Sequence, residues 1–321
     1  MEIRTAPIDG NMREIAFSQP DFERIAQIVL ETSGICIPKG KDSLVYSRLV
    51  PRVQRLGFAS FRQYLSYLMT PEAVDENQGL INALTTNTTN FFREEHHFEA
   101  LKTQVLPELV SHARRGGRVR LWSAGCSSGE EACTIAFCLL DQCPEASSLD
   151  IRILATDIDG DVLKRARSGH YPARSIAKLP EGLAERHFEP SHTFADEKTV
   201  NVRLRSLVTY RQLNLVKPWP FRRPFDVVFC RNVAIYFNAD TQDQLWNRFK
   251  DVLQPGGYLF MGHSERLSNS VKQSFEPVAI TTYRLKSKAA PASPLERGVS
   301  WLWACCSGCA RTVRRSASAS S

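Results

Sequence analysis

The sequence predicts an α/β protein: a doubly wound, mainly parallel sheet with a small antiparallel insertion, preceded by a small all-helical domain. Three observations carry that expectation. Residues 21–90 keep helical periodicity without a strand signal. From about residue 118, short apolar runs alternate with helical stretches, as parallel strands with crossover helices require. A turn of small residues, 125–129, joins the first apolar run to the first helix of that alternation, and small residues there let a ligand approach the backbone.

The elements follow in order. Residues 1–20 lack periodicity and read as a leader. Asp21 reads as the cap of a helix whose apolar positions are Ile25, Ile28 and Val29, ending at Gly34. Residues 42–56, 60–69 and 75–84 complete the helical domain, which is expected to span 21–90. Strands are expected at 118–124, 151–157, 207–213, 225–230 and 257–262, with a closing pair near 278–285. Residues 160–169 and 240–253 read as crossover helices, and Pro255-Gly256-Gly257 as a turn. Residues 170–206 break the alternation; Val200, Val202 and Leu204 alternate with polar residues and suggest the antiparallel insertion. The sheet domain is expected to run 91–285, followed by a disordered basic tail over 286–321.

At 321 residues, with 43% hydrophobic and 23% charged content, the chain has the make-up of a soluble globular protein. It shows neither an 18-residue apolar run nor a signal pattern, so a cytoplasmic location without stable membrane insertion is expected; a monomer is the separate expectation for its assembly. The net charge of +7 lies mostly in the last 36 residues, which hold six basic residues against one acid. The nearly balanced remainder argues against a nucleic-acid partner. The nine cysteines are scattered through mostly apolar settings and read as reduced thiols. Cys305, Cys306 and Cys309 in the tail read as incidental, with metal binding or lipidation as the alternatives.

Residues 118–133 are the most informative. Glu130 and Glu131 follow the turn directly. They would repel a phosphate from the helix N-terminus, where anions otherwise bind, and they suit a cofactor with a cationic end. S-adenosylmethionine (SAM) fits; another nucleotide or a plain tight turn are the alternatives. Asp157 ends the second strand, where such folds hold ribose hydroxyls, although it could instead cap the next helix, as could Asp159. Arg231 and Asn232 follow the fourth strand, outside whose end ligands bind in open sheets. Cys230 precedes them inside an apolar run and reads as a buried thiol rather than a nucleophile. In 84–98, Phe91, Phe92 and Arg93 could close over a ligand. His96 and His97 are adjacent and make a poor metal pair, so no metal is expected.

Five segments in one order, 84–98, 122–131, 155–169, 225–237 and 253–265, resemble the CheR family of chemoreceptor glutamate O-methyltransferases. The resemblance covers roughly 20–285 and implies a helical domain joined to a SAM-dependent methyltransferase domain with a small β-subdomain at about 170–206. It implies SAM contacts at Asn87, Thr89, Arg93, one of Glu130 and Glu131, Asp157, Asn214, Leu215, Arg231 and Asn232. It places Arg93 and Tyr236 beside the transferred methyl group, although Tyr236 could be a packing aromatic. It also implies a chemoreceptor helical bundle as partner and S-adenosylhomocysteine as product. Arg48, Arg52 and Arg55 would supply a basic, receptor-facing side of the second helix, a merely solvated face being the alternative. Pro51 among them is expected to bend or restart that helix. Residues 189–200 lack the glycine that marks members binding a receptor's C-terminal pentapeptide, so independence from that tether is expected. The rival readings are a nucleic-acid methyltransferase, against which the missing Pro-Pro-aromatic motif counts, and a non-catalytic SAM sensor.

Overall fold

The computed structural model describes residues 15–287 except 192 and 194. Most of the leader, most of the tail and its three cysteines therefore lie outside the described residues.

Four helices build the first lobe: α1 (Gln19–Ser33), α2 (Asp42–Arg55), α3 (Phe61–Leu68) and α4 (Val74–Leu84). They bury Ile25, Val29, Leu49, Val53, Phe61 and Leu80 against one another. Ser18, not Asp21, caps α1. Asp21 is the third helical residue, and its carboxylate accepts from Ser18 N at 2.9 Å while Ser18 Oγ accepts from Asp21 N at 3.4 Å, a reciprocal capping box. Gly34 ends the helix at φ 77° as expected. Helix α2 runs through Pro51 without a break. The proline and Ser47, whose carbonyl it deprives of a donor, both face solvent, so water can replace the lost bond.

The second lobe starts with α5 (His96–Ala100), a π-turn over Leu101–Val105, and α6 (Leu106–Arg114). Then come β1 (Val119–Ala124), α7 (Glu130–Gln142), β2 (Ile151–Asp157) and α8 (Gly160–Ser168). The insertion comprises β3 (His170–Pro172), α9 (Ala173–Ile176), α10 (Leu183–His187), β4 (Phe188–Pro190) and β5 (Glu197–Val200). It forms an antiparallel sheet of order β3-β5-β4. Val202 and Leu204 do not continue it. They lie on α11 (Val202–Leu207), one 75% exposed and the other buried. The Asn201 side chain accepts from Leu204 N at 3.0 Å and starts a helix where alternation suggested a strand.

The main chain then adds β6 (Val208–Gln212), β7 (Phe225–Cys230), α12 (Ala239–Val252), β8 (Leu253–Met261), α13 (Asn269–Lys272), β9 (Phe275–Ala279) and β10 (Thr282–Leu285). The expected turn at Pro255-Gly256-Gly257 falls inside β8, as an irregularity in its pairing with β7. The large sheet has the order β6-β2-β1-β7-β8-β10-β9. Its first five strands are parallel, and β10 and β9 close it antiparallel. Strand residues alternate between two cores, as a sheet covered on both faces requires: Leu121, Ile153, Val227 and Phe229 serve one, and Trp122, Val228, Cys230 and Met261 the other. Strand order reverses between β1 and β7, so a crevice opens beyond their carboxyl ends.

Candidate active site

That crevice has a volume of about 980 Å³, open mouth included, and both lobes wall it. The helical lobe contributes Ser33 and Ile35, and the linker contributes Thr85 to Asn90 together with Arg93. The sheet contributes Gly125, Ser127, Glu131, Asp157, Asn214 and Leu215, and the loop after β7 contributes Arg231 to Val233, Tyr236 and Phe237.

The turn after β1 needs its glycines. At Gly125, φ is 83° and an added Cβ would lie 2.3 Å from Val233 Cγ2; at Gly129, φ is 97° and it would lie 2.9 Å from the Tyr171 hydroxyl. Between them Ser127 is left-handed too (φ 49°). Its N–H donates to Asp157 Oδ2 at 2.8 Å and its hydroxyl to Asn87 O at 2.8 Å. Asp157 takes Asp159 N on its other oxygen at 2.9 Å. Burial raises the Asp157 carboxyl, and these amides pull it partly back. Asp159 stands beside it as the true cap of α8. Its second oxygen accepts from Asn87 Nδ2 at 2.6 Å and Thr85 Oγ1 at 3.2 Å, which fastens the linker to the sheet.

The structure separates the two glutamates. Glu131 reaches the crevice, whereas Glu130 does not line it and instead accepts from Ser128 Oγ at 2.7 Å. Glu131 accepts from Ser123 Oγ at 2.6 Å and from Arg231 Nη1 at 3.1 Å. Burial raises its carboxyl; Arg231 and Ser123 oppose the rise. Arg231, 6% exposed, also donates to Arg93 O, lies 3.4 Å from Glu94 Oε2 and sits over the Phe98 ring. Glu94 further accepts from Asn232 Nδ2 at 3.3 Å and lies 2.8 Å from His263 Nδ1. Burial would raise the Glu94 carboxyl, but His263 and Arg231 hold it down at about 2.

Phe92 (φ 52°) and Glu94 (φ 57°) are left-handed non-glycine residues flanking Arg93. Such strain persists only where surrounding packing enforces it, and it clusters at functional sites. Among the described residues, Glu94, His96 and His97 bring possible ligand atoms within 4.8 Å of one another. The Arg231 guanidinium already supplies the positive charge beside Glu94. Cys230 is fully buried, and burial pushes its thiol well above the ordinary range.

The family model described as the SAM binding domain of CheR methyltransferase matches residues 87–284, and that described as its all-alpha domain matches residues 20–85. The chain belongs to the CheR methyltransferase family. It is 43% identical over 262 residues to a probable chemotaxis protein methyltransferase of Rhizobium etli, covering 81% of this chain and 98% of that protein. Identity is 42% over 282 residues to the chemotaxis protein methyltransferase of Salmonella typhimurium (86% and 94% covered) and 40% over 275 residues to that of Escherichia coli (84% and 92%). The protein is a SAM-dependent methyltransferase of this family, with the expected fold. Among the described residues, no helix is long and apolar enough to cross a membrane.

Of the residues expected at the CheR cofactor site, all but Glu130 line the crevice. Arg93 and Tyr236 line it as well; Arg93 Nη1 donates to Thr88 O at 2.9 Å and Tyr236 O accepts from Cys36 N at 2.8 Å. The Asn214 side chain donates to Thr32 O at 2.8 Å and accepts from Val216 N at 3.0 Å, so it ties the lobes together. The three expected receptor-facing arginines part company. Arg48 donates to Leu84 O (2.8 Å) and Thr85 O (2.9 Å) at the end of α4. Arg52 grips Glu76, which also accepts from the Tyr64 hydroxyl at 2.7 Å. Arg55 alone of the three is exposed. Sequence reasoning gave no role at the site to Ser127 or Glu94, and read Asp159 only as a cap. Each lies inside a segment that carried the resemblance, and an unassigned polar residue in such a segment was the available signal.

Proposed function

We propose that the protein methylates glutamate side chains on the cytoplasmic helices of chemoreceptors, acting as a cytoplasmic monomer and leaving S-adenosylhomocysteine. The carrying observation is one crevice in which Glu131, Asp157, Arg231 and Asn232 meet Arg93 and Tyr236. Its donor set suits SAM: Asp157 keeps acceptor capacity for ribose hydroxyls, and Glu131 offers a buried negative charge to the cationic methionine end. When bound, SAM supplies an electrophilic methyl carbon, which forms the ester bond to a carboxylate oxygen as the sulfur keeps the electron pair of the broken C–S bond.

The chain's own contribution is orientation. The incoming carboxylate, with a free pKa near ~4.3, is already ionised at neutral pH, so no general base is required. Holding two reactants in register is worth roughly 7–11 kcal/mol. Arg93 is the group we assign to aiming the carboxylate, and Tyr236 lines the same crevice. Arg55 on α2 favours an acidic helical partner. The test is incubation with methyl-labelled SAM and isolated receptor cytoplasmic fragments. Base-labile ester label on receptor glutamates is expected; SAM binding without receptor label, or label on RNA instead, would reject the reading.

A further inference from the structure

Glu265 has no part in the site as described so far. It is 3% exposed and lies just beyond β8. Its carboxylate accepts four backbone N–H groups: Gly262 at 2.6 Å and Asn232 at 3.1 Å on Oε2, and Val233 at 3.0 Å and Ala234 at 2.7 Å on Oε1. Three consecutive amides turned to one side make a concave nest for an anion. Asn232, left-handed at φ 59°, makes that turn. The junction is tight: a Cβ on Gly262 would lie 2.8 Å from Asn232 N and 3.0 Å from Glu265 Oε2. The chain thus fills its own anion site with an internal carboxylate. The amides it holds lie between Arg231 and Tyr236, which both line the crevice.

We propose that Glu265 is a positioning residue for methyl transfer, its carboxylate fixing the 232–234 turn and thereby setting Asn232 and Tyr236 at the crevice wall. This rests on the function proposed above. Remove the anion, and four partly or wholly buried N–H groups lose their acceptor. The turn then relaxes toward water and carries Tyr236 with it. Cofactor contacts made from α7 and β2 are left in place, so turnover suffers more than cofactor affinity.

The test compares Glu265→Gln with the unaltered protein in three readouts: methyl transfer per folded molecule, S-adenosylhomocysteine affinity by calorimetry, and amide exchange of peptides spanning 231–237. The glutamine keeps the shape but turns an NH2 toward donors. Exchange should quicken, turnover should fall roughly a hundredfold, and affinity should fall less than about tenfold. Glu265→Asp, which keeps the charge, should fall between. If Glu265→Gln does not fold, Gly262→Ala disturbs the same junction with Glu265 intact and should give the same pattern. Turnover within about threefold of normal would overturn the inference, as would a loss matching the loss of cofactor affinity. An unaltered protein that transfers no methyl to receptor would defeat the proposed function instead; the exchange readout would still decide whether Glu265 holds the turn.

Discussion

Arg231 touches Glu131, Glu94 and the backbone of Arg93 at once, so a single buried guanidinium ties the start of α7, the strained linker and the loop after β7 together. Around it the side chains divide by task. Arg93 and Tyr236 are the ones assigned to the reaction itself, so Arg93→Ala and Tyr236→Phe should each lower turnover by roughly 10²-fold while S-adenosylhomocysteine affinity changes by only a few-fold. Calorimetry beside a labelled-methyl assay checks this, and equal losses in both would refute it. Glu131 gives a pH signature. Its carboxyl is raised by burial, so the free native protein holds a proton in a window above the ordinary carboxylate value. A raised acid costs native stability as pH rises through that window. A cationic ligand beside it favours the ionised form, so ligand affinity should climb with pH through the window and binding should release protons. Titrations in buffers of different ionisation enthalpy, taken upward from the ordinary carboxylate range, measure this; proton uptake, or no dependence, would contradict it.

At the scale of elements, α2 shows why a charge pattern does not reveal its own use. Arg48, Arg52 and Arg55 share one periodicity in sequence, yet two of them stabilise the fold. The signal that separates them is not local. Glu76 and the end of α4 come from other parts of the chain, and only packing brings them under α2. Glu76 is 6% exposed, so removing its cation leaves a buried charge unpaired. Arg52→Ala should therefore lose about 3 kcal/mol of stability, and Arg55→Ala should stay within about 0.5 kcal/mol, by urea denaturation. Binding to receptor fragments should show the reverse order, with Arg55→Glu weakening it and added salt weakening it further. The same limit explains α11: the alternation of Val200, Val202 and Leu204 was real, but one Asn201 cap bond overrode it. The parallel strands were legible because both of their faces are buried and their runs are continuously apolar.

Over the whole molecule, the crevice was readable from its motifs, whereas the division between contact and support was not. Glu130 and Glu131 are neighbours in sequence and differ only in the direction each takes from α7. Buried ionisable groups at the same centre also set how the protein responds to acid. Burial, reinforced by Arg231, lowers His97 to about 3. The unfolded chain therefore binds a proton near pH ~6.5 that the native state refuses, and stability falls as pH drops below that value. Glu94, held at about 2, adds a second loss once pH falls below the free carboxylate value near ~4.3. Unfolding free energy should decline by up to about 1.4 kcal/mol per pH unit for the His97 proton alone. His97→Phe should flatten that slope in denaturant titrations between about pH 6.5 and pH 4; an unchanged slope would show that acid acts elsewhere.

The seam between the lobes carries a practical consequence. Ser33 and Ile35 wall the crevice, Thr32 holds Asn214, Cys36 holds Tyr236, and Asp159 holds the linker. Two stretches that match separate family models are thus halves of one receptacle, not interchangeable modules. Grafting a foreign helical lobe onto this sheet would import a mismatched wall, and any chimera that kept its catalytic competence would have to carry this seam across intact.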